Sequence, residues 1–383
     1  MKIGLDLRLH AYAPGGISRY ARRLSRALAE RQQPAERQQP DERQQLDMQL
    51  TLIAHRRERD PLRLPGTTLR RVWTPPHHRL ERWALGLELL PLGLDLLHST
   101  DFIPPVWGAR HHVITVHDLN FLYYPDYLTA DARRYYNDQI DWAVRHADGI
   151  LVDSHATQRD LEMLLGVAPE RVTVAHLAAD DRFRVLPQED VTAALARRGM
   201  TPGYLLFVGV WEPRKNLPGL LEAQALLRSR GHALDLVIAG RPGWLYDEVQ
   251  ETIRALGLGS CVHFVERPTV DDLVILYNGA LLLAMPSFYE GFGLPALEAM
   301  QCGTPTVVAD CASLPEVVGD AGLLIDPEDA ASIAEACARI VEDAEVRRRL
   351  RQAGLQQAAT FSWRTTATQT LAAYRAALGV DAP

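Results

Sequence analysis

The 383-residue sequence contains almost no lysine. Lysine and arginine together total 41, but only Lys2 and Lys215 are lysines, which leaves 39 arginines. A bias in codon usage that acts on every position would explain this ratio, and Lys215 would then be an accident. The alternative is that position 215 requires a compact ammonium on a flexible stem, which arginine cannot supply. Composition alone favours the accident.

Other scarcities exclude whole classes of protein. No apolar run approaches the ~20 residues of a membrane helix, and charges interrupt the first eight residues, where a signal peptide would be apolar. We therefore expect a cytoplasmic protein. A formal net charge of −7 argues against a nucleic-acid partner. The four cysteines lack Cys-x-x-Cys spacing, so neither a disulfide framework nor a zinc site is expected; they are Cys261, Cys302, Cys311 and Cys337.

Short apolar runs alternate with segments of helical length along the whole chain. This alternation predicts parallel sheets with helical crossovers, and its two series predict two doubly wound α/β domains that face each other across a cleft. We expect an N-terminal domain at 1–185, a linker within 180–189 that contains Pro187, a second domain at 190–362, and a C-terminal helix within 363–383 that packs toward the first domain. The predicted strands are 2–9, 50–54, 94–98, 112–116, 149–153, 171–177, 204–210, 234–239, 262–265, 281–285, 305–309 and 322–325.

Residues 30–47 contain a hexapeptide repeated three times. Proline and glutamine recur in it and almost nothing is apolar, so it cannot build a core. We interpret it as a surface insert without a catalytic role.

The most informative stretch is 281–309, where a predicted strand leads through a glycine loop into a helix. Pro295 is expected in the first helical turn, which would make Glu298 a first-turn residue and Glu290 a loop residue. The amides near Gly293 and Leu294 would form an anion site suited to a diphosphate. Two carboxylates beside such a site suggest that sugar or ribose hydroxyls also bind there, although acidic residues near a helix start can simply complement its dipole.

This stretch resembles glycosyltransferase family 4, the retaining nucleotide-sugar transferases of the GT-B fold. The matching signature is Glu-x7-Glu, from Glu290 to Glu298, followed by Gly303-Thr-Pro305. The resemblance covers nearly the whole chain outside 30–47. It implies that Glu290 contacts the donor sugar, that Glu298 contacts the ribose, and that the loop between them binds the donor. The loop residues concerned are Gly291, Phe292, Gly293 and Leu294.

A second element of the resemblance follows the strand at 204–210. The family carries an arginine directly after the strand glycine and a lysine five residues later, both on the donor diphosphate. This chain keeps Lys215 but has Val210 at the arginine position. Arg214 is the candidate replacement. A solvated charge pair at a helix start is the alternative interpretation, and it is stronger for Arg214 than for Lys215.

The first half of the chain also resembles the family, at two positions. Gly15 and Gly16 match its first glycine loop, which approaches the donor phosphates and the acceptor, with Arg19 on the acceptor side. His117 follows a buried strand and matches the active-site histidine beside the donor sugar, with Asp118 next to it on the acceptor side. A Gly-Gly pair or a single histidine would be weak evidence without the resemblance.

The resemblance leaves the nucleotide base open. Glu266 and Arg267 stand beside the expected base site, where the family often has glycine. No Asp-x-Asp occurs, so no metal is expected to bridge the donor phosphates, and no cofactor is expected besides the nucleotide sugar itself.

The implied function is retaining transfer of a hexose-type sugar from a nucleoside diphosphate donor, GDP-mannose-like or a UDP-sugar, to a hydroxyl of a glycan, a lipid-linked acceptor or a small molecule. Two alternatives stay open on the sequence. A nucleotide-sugar epimerase of the same architecture would change the donor without an acceptor, and a two-lobed sugar- or nucleotide-binding protein would perform no chemistry.

Residues 56–83 contain eight arginines against three acidic residues, with Trp73 and Trp83 among them. Such a segment could rest on anionic lipid at the inner face of the membrane. A solvated surface in an arginine-rich chain is the alternative.

Overall fold

The structure is a computed structural model that describes residues 1–12, 15–31, 48–125, 130–243 and 246–380. It divides into two compact units, one comprising Met1–Leu177 with Trp363–Pro383 and the other Ala178–Ser362. The repetitive part of the predicted insert, 32–47, lies outside the described residues, as does Pro14 of the first glycine loop.

The first unit is built on a seven-stranded parallel sheet with the spatial order β3-β2-β1-β4-β5-β6-β7. Its strands are β1 (Lys2–Asp6), β2 (Gln49–His55), β3 (Thr67–Val72), β4 (Leu94–Ser99), β5 (Ala109–Val116), β6 (Gly149–Val152) and β7 (Val172–Val174). Its first five helices are α1 (Gly16–Glu30), α2 (Glu81–Leu89), α3 (Asn120–Tyr123), α4 (Ala130–His146) and α5 (His155–Leu165).

The second unit contains a six-stranded parallel sheet with the order β10-β9-β8-β11-β12-β13. Its strands are β8 (Tyr204–Val208), β9 (Leu236–Gly240), β10 (Val262–Glu266), β11 (Ala280–Met285), β12 (Thr306–Ala309) and β13 (Gly322–Ile325). Its helices are α6 (Gln188–Ala196), α7 (Leu217–Ser229), α8 (Tyr246–Ala255), α9 (Val270–Gly279), α10 (Leu294–Gln301), α11 (Leu314–Val318), α12 (Ala330–Glu342) and α13 (Ala344–Ala358).

The central strands of both sheets are apolar on both faces, as expected where helices cover a parallel sheet on each side. Leu5, Leu96 and Ile114 are fully buried in the first sheet, and Leu206 and Leu283 are fully buried in the second. The loops that follow the carboxyl ends of the strands carry the polar residues singled out in the sequence. Two α/β units of this kind confirm the predicted fold class.

The last helix, α14 (Trp363–Ala377), belongs to the first unit. Tyr374 Oη lies 2.7 Å from Nδ1 of His98 on β4, and Thr366 donates to the His176 carbonyl at 2.6 Å. His98 is fully buried, so its hydrogen bond with Tyr374 of α14 lies in the core of the first unit.

The boundary between the units differs from the one expected at 185–190. The units divide between Leu177 and Ala178, because the segment after this point packs on the second unit. Phe183 lies edge-on to Tyr277 of α9 with 5.7 Å between ring centroids, and the Leu186 amide donates to Asn278 at 2.8 Å.

All four cysteines are free thiols, and three of them are buried. Burial raises the pKa of the Cys337 thiol to about 12, so this thiol stays protonated. Within the described ranges, every helix is too short or too polar to span a bilayer.

Candidate functional site

The loop after β8 is held by a close backbone approach. A Cβ on Gly240, whose φ is 157°, would stand 1.8 Å from the Gly209 carbonyl oxygen, so β9 must end in glycine there. The chain then makes a single turn of 3-10 helix at Pro213–Lys215. Asn216 follows with φ 53°, and its side chain accepts from the Gly219 amide at 3.2 Å, which caps α7. This turn therefore fixes Arg214 and Lys215 immediately before a helix N-terminus.

The loop after β11, the strand next to β8, is fixed equally firmly. Ser313 Oγ lies 2.8 Å from the carbonyl oxygens of both Glu290 and Phe292. Gly293 has φ 104°, and a Cβ there would come within 2.7 Å of Leu314. The Phe288 amide also donates to the Arg214 carbonyl at 2.8 Å, which joins this loop to the one after β8.

These two loops bring Arg214, Lys215 and Glu290 together. Lys215 Nζ lies 2.5 Å from Glu290 Oε1, and Arg214 Nη1 lies 3.0 Å from Glu290 Oε2. Arg214 also donates to the Tyr289 carbonyl at 3.0 Å and pairs with Glu212 at 2.7 Å. Lys215 and Glu290 are 7% and 6% exposed. Lys215 and Glu290 are therefore buried and Arg214 is half-buried, and the two cations flank the Glu290 carboxylate.

The charges in this cluster depend on one another. Burial would raise the pKa of Glu290, but the Lys215 ammonium and the Arg214 guanidinium outweigh burial and hold that pKa at about 2. Burial lowers the pKa of Lys215 more than Glu290 raises it. Glu290 is consequently ionised at neutral pH, and it keeps two like charges close together at a strand end.

Glu298 occupies a different position from the one expected. Because α10 begins at Leu294, Glu298 is its fifth residue and lies in the second turn, and the first turn contains no acidic residue. Its carboxylate is buried and accepts from the Tyr277 hydroxyl at 2.9 Å. A phenol that donates to Glu298 was not foreseen, since nothing in the sequence links 277 to 298.

The four loop residues differ in their surroundings. Phe292 is buried and lies edge-on to Phe361 with 5.8 Å between centroids, so it packs in the core. Gly291 lies in the same loop, Gly293 is the N-cap of α10, and Leu294 is its first residue. The first backbone N–H groups of a helix have no acceptor within the helix, so those of α10 can donate to a bound anion.

Glu266 is the last residue of β10, an edge strand two places from β8, and Arg267 follows it. Both side chains are exposed. Arg267 has φ 50°, and its amide donates to the Gly240 carbonyl at 2.7 Å. The structure thus separates the candidate base residues from the Arg214–Glu290 cluster by the width of β9.

In the first unit, His117 follows β5 with both ring nitrogens engaged. Nδ1 lies 2.6 Å from Asp153 Oδ2, and Nε2 lies 3.0 Å from the Thr100 carbonyl oxygen. A neutral imidazole has a single N–H, so donation to both acceptors requires the doubly protonated ring. Burial opposes this charge, but Asp153 overcomes it and raises the pKa of His117 to about 9. His117 is therefore a half-buried cation, with the Tyr20 ring edge-on at 4.8 Å between ring centroids.

We expect Asp153→Asn to lower the free energy of unfolding most below pH 6.5, with the deficit shrinking as the pH rises through about 9. A group whose pKa is raised on folding contributes its full stabilisation below its unfolded pKa and loses it above its folded pKa. Urea unfolding over this pH range measures the effect, with the exposed Glu162→Gln as the control carboxylate. A deficit that does not change with pH would contradict the charged pair.

A neighbouring histidine, His98, is neutral. Its ring bonds Tyr374 and Thr115, both at 2.7 Å, and burial lowers its pKa to about 3. Both partners are hydroxyls, so neither supplies a negative charge.

The other candidates of the first unit are less enclosed. Gly15 is the N-cap of α1, and Gly16 has open space where a Cβ would stand. Arg19 is exposed on α1. Asp118 accepts from the Asn120 amide at 3.1 Å and shapes the turn before α3. Gly15, Gly16 and Arg19 are thus exposed, whereas Asp118 is half-buried and directly follows His117.

Sequence reasoning missed a buried ionic cluster just beyond β1. Arg8, 1% exposed, donates to Asp6 at 2.7 Å, to Glu81 of α2 at 2.6 Å and to the Thr74 carbonyl at 3.0 Å. His77 and Asp101 pair beside it at 2.7 Å. The alternation Asp6-Leu7-Arg8 at a strand end was the available signal. Among the described residues, no group of three or more His, Cys, Asp or Glu is arranged to hold a metal ion.

Comparison with known proteins agrees with the two units. Residues 196–357 match the family model "Glycosyl transferases group 1", and residues 14–183 match "Glycosyltransferase Family 4". The O-antigen chain mannosyltransferase B of Escherichia coli is 33% identical over 301 residues, which cover 78% of each chain.

Two solved structures share the fold along nearly the whole chain. Sucrose-phosphate synthase from Thermosynechococcus elongatus has a TM-score of 0.75 at 21% identity and covers 100% of both chains. Anabaena HepE, solved in complex with UDP and glucose, has a TM-score of 0.73 at 19% identity and covers 97% of this chain and 98% of its own. The chain is thus a glycosyltransferase of the GT-B fold and belongs to glycosyltransferase family 4.

Proposed function

We propose that the protein transfers a hexose, with retention of anomeric configuration, from a nucleoside diphosphate sugar to a hydroxyl of a glycan or lipid-linked acceptor. The observation that carries this proposal is the Arg214–Lys215–Glu290 cluster at the ends of β8 and β11. Two cations fixed beside two helix N-termini match the charge of a diphosphate leaving group. The mannosyltransferase relative supports a mannosyl donor, while HepE was solved with UDP.

The chemistry requires stabilisation of the departing diphosphate. The bond between the anomeric carbon and the phosphate oxygen breaks, the acceptor oxygen bonds to the same face of that carbon, and the acceptor proton passes to the leaving phosphate oxygen. Negative charge grows on the diphosphate along this path, and preorganised cations in a dry site lower its energy. Lys215 and Arg214 would supply that charge without an enzymatic nucleophile or a metal ion.

Glu290 would take part in two ways. Its carboxylate keeps Arg214 and Lys215 in position, since two adjacent cations would otherwise repel each other. An incoming diphosphate competes with Glu290 for Lys215. When the Lys215 ammonium binds the phosphate instead of Glu290, Glu290 Oε1 can accept a hydrogen bond from a hydroxyl of the donor sugar.

Glu298, oriented by the hydroxyl of the buried Tyr277, would hold the ribose. We expect Glu298→Ala to weaken binding of the free nucleoside diphosphate by ~10- to 10²-fold, the scale of one lost hydrogen bond to a charged group. Isothermal titration calorimetry with GDP and UDP measures it. Glu335→Ala, which removes an exposed glutamate of α12, is the matched control. Unchanged affinity in the Glu298 variant would remove the ribose role.

The function itself is tested with a donor panel. Thermal unfolding should shift most with the true donor, since a ligand at 100 times its Kd adds about 2.7 kcal/mol to stability. That donor is then incubated with lipid-linked and free glycans. A sugar–acceptor product with the anomeric configuration of the donor supports the proposal. Release of an epimerised sugar without any acceptor product, or an inverted linkage, would overturn it.

A further inference from the structure

One side of α2 carries large apolar residues turned to solvent. Leu80, Trp83, Leu87 and Leu90 recur at helical spacing and are 58%, 45%, 60% and 54% exposed. They lie opposite the buried face of the helix, which holds Glu81, Leu85 and Leu89. Val106 and Trp107 extend this surface: the Val106 amide donates to the Arg82 carbonyl at 2.9 Å, and Trp107 packs on Gly86. We call these six apolar residues the α2 face.

The charges around the α2 face are sorted by sign. Seven of the eight arginines between 56 and 82 are exposed, and the eighth, Arg82, is half-buried. Two of the three acidic residues of this segment are buried: Glu58, and Glu81 against Arg8. Glu88 of α2, just beyond the segment, is half-buried and accepts from the backbone amides of Trp73 and Thr74. Asp60 is the segment's single exposed acidic residue.

The arginines connect to the α2 face through Trp73. The Arg56 guanidinium stacks on this indole, 3.2 Å from the ring centroid, and Trp73 bonds through its amide to Glu88 of α2. Arg79 directly precedes Leu80 and is exposed. The basic surface ends at Arg82, which donates to the Asp138 carbonyl of α4. The acidic residues Asp138 and Asp141 lie on that helix, and Asp141 pairs with Arg145.

We propose that the α2 face docks on a lipid bilayer with anionic headgroups. Exposed tryptophan and leucine on one side of a helix, bordered by seven exposed arginines against one exposed acidic residue, match the interface between headgroups and acyl chains. The opposite side of the same helix bonds Arg8 through Glu81, at the carboxyl end of β1. Docking would therefore hold the first unit with this strand end near the membrane surface, where a lipid-linked acceptor resides.

Vesicle sedimentation tests the proposal without donor or acceptor, so its outcome is independent of the proposed transfer reaction. The full-length protein should sediment with vesicles of phosphatidylcholine plus phosphatidylglycerol and remain in solution with phosphatidylcholine alone. Binding should decline as salt is raised, because salt screens surface charge. Equal binding to both vesicle types, or no binding to either at low salt, would overturn the proposal.

Two pairs of variants separate the apolar and basic contributions. Trp83→Ser with Leu87→Ser should reduce partitioning by at least ~10²-fold, since two large apolar side chains no longer enter the interface. Its control is Met163→Ser with Leu164→Ser, two exposed apolar residues of α5. Arg56→Glu with Arg79→Glu should reduce vesicle partitioning by at least ~10-fold. Its control is Arg228→Glu with Arg230→Glu, two exposed arginines at the end of α7, which should leave partitioning unchanged.

All these positions are at the surface, so the variants should unfold at the wild-type temperature. If the control variants lost as much vesicle binding as the α2-face and arginine variants, that result would contradict the assignment of lipid binding to the α2 face. Sedimentation equilibrium of the wild type tests whether a second copy of the chain, rather than lipid, covers the α2 face. A dimer that Trp83→Ser with Leu87→Ser dissociates, without vesicle binding, would assign the α2 face to a second copy of the chain and overturn the lipid proposal.

Discussion

Lys215→Ala is expected to lower turnover by ~10²- to 10³-fold, the scale for removing one preorganised donor to developing negative charge. The Lys215 ammonium is 7% exposed and fixed by Glu290, so water cannot replace it efficiently. The loss should fall on kcat more than on KM, because the charge on the leaving diphosphate is greatest in the transition state. Steady-state kinetics with the donor identified in the panel measures both constants.

Lys215→Arg is the sharper control. If the chain-wide preference for arginine were the whole reason for two lysines in 383 residues, arginine would serve equally well at 215. The surroundings predict otherwise. Lys215 is 7% exposed and its Nζ ends 2.5 Å from Glu290 Oε1, so the longer planar guanidinium would have to displace its neighbours. Near-wild-type turnover in Lys215→Ala would contradict the leaving-group role, whereas near-wild-type turnover in Lys215→Arg would contradict only the requirement for lysine at this position.

The local sequence was sufficient to predict those strands that a single pattern, a short apolar run, specifies. Apolar runs predicted twelve of the thirteen strands that the described residues form, because buried parallel strands are apolar on both faces. The exception is β3, Thr-Thr-Leu-Arg-Arg-Val, an edge strand whose exposed arginines hide the pattern. The contact of Lys215 with Glu290 across 75 positions also followed in outline, since β8 and β11 are neighbours and their carboxyl ends meet at one edge of the sheet.

Contacts set by packing between elements could not be predicted. Tyr277 meets Glu298 because α9 packs beside α10. Pro295 lies in the first helical turn as predicted, but α10 begins one residue earlier, at Leu294, so Glu298 falls in the second turn rather than the first. Arg8 meets Glu81 through a helix 73 residues later. In each case the partner is specified by the tertiary fold, and no local propensity encodes it.

The largest expected loss of stability belongs to Arg8→Met. Burial would lower the pKa of Arg8, but Asp6 and Glu81 hold it above its ordinary value, so the guanidinium stays charged between two carboxylates. Removing it leaves both carboxylates buried without a counter-charge, which costs about 3–5 kcal/mol when one partner of a buried pair is lost. Hydrogen exchange of β1 and α2 peptides in increasing urea measures this loss in the first unit alone.

The pH dependence of this variant identifies the cause of the loss. Burial already raises the pKa of Glu81 above 4.5 in the presence of Arg8, and it rises further without that cation. A carboxyl whose pKa is raised on folding destabilises the fold increasingly as the pH rises above its unfolded value, so the Arg8→Met deficit should shrink toward pH 4.5. Glu81→Gln combined with Arg8→Met should recover part of the loss at neutral pH. A deficit that the second substitution leaves unchanged would attribute the loss to packing rather than to an uncompensated charge.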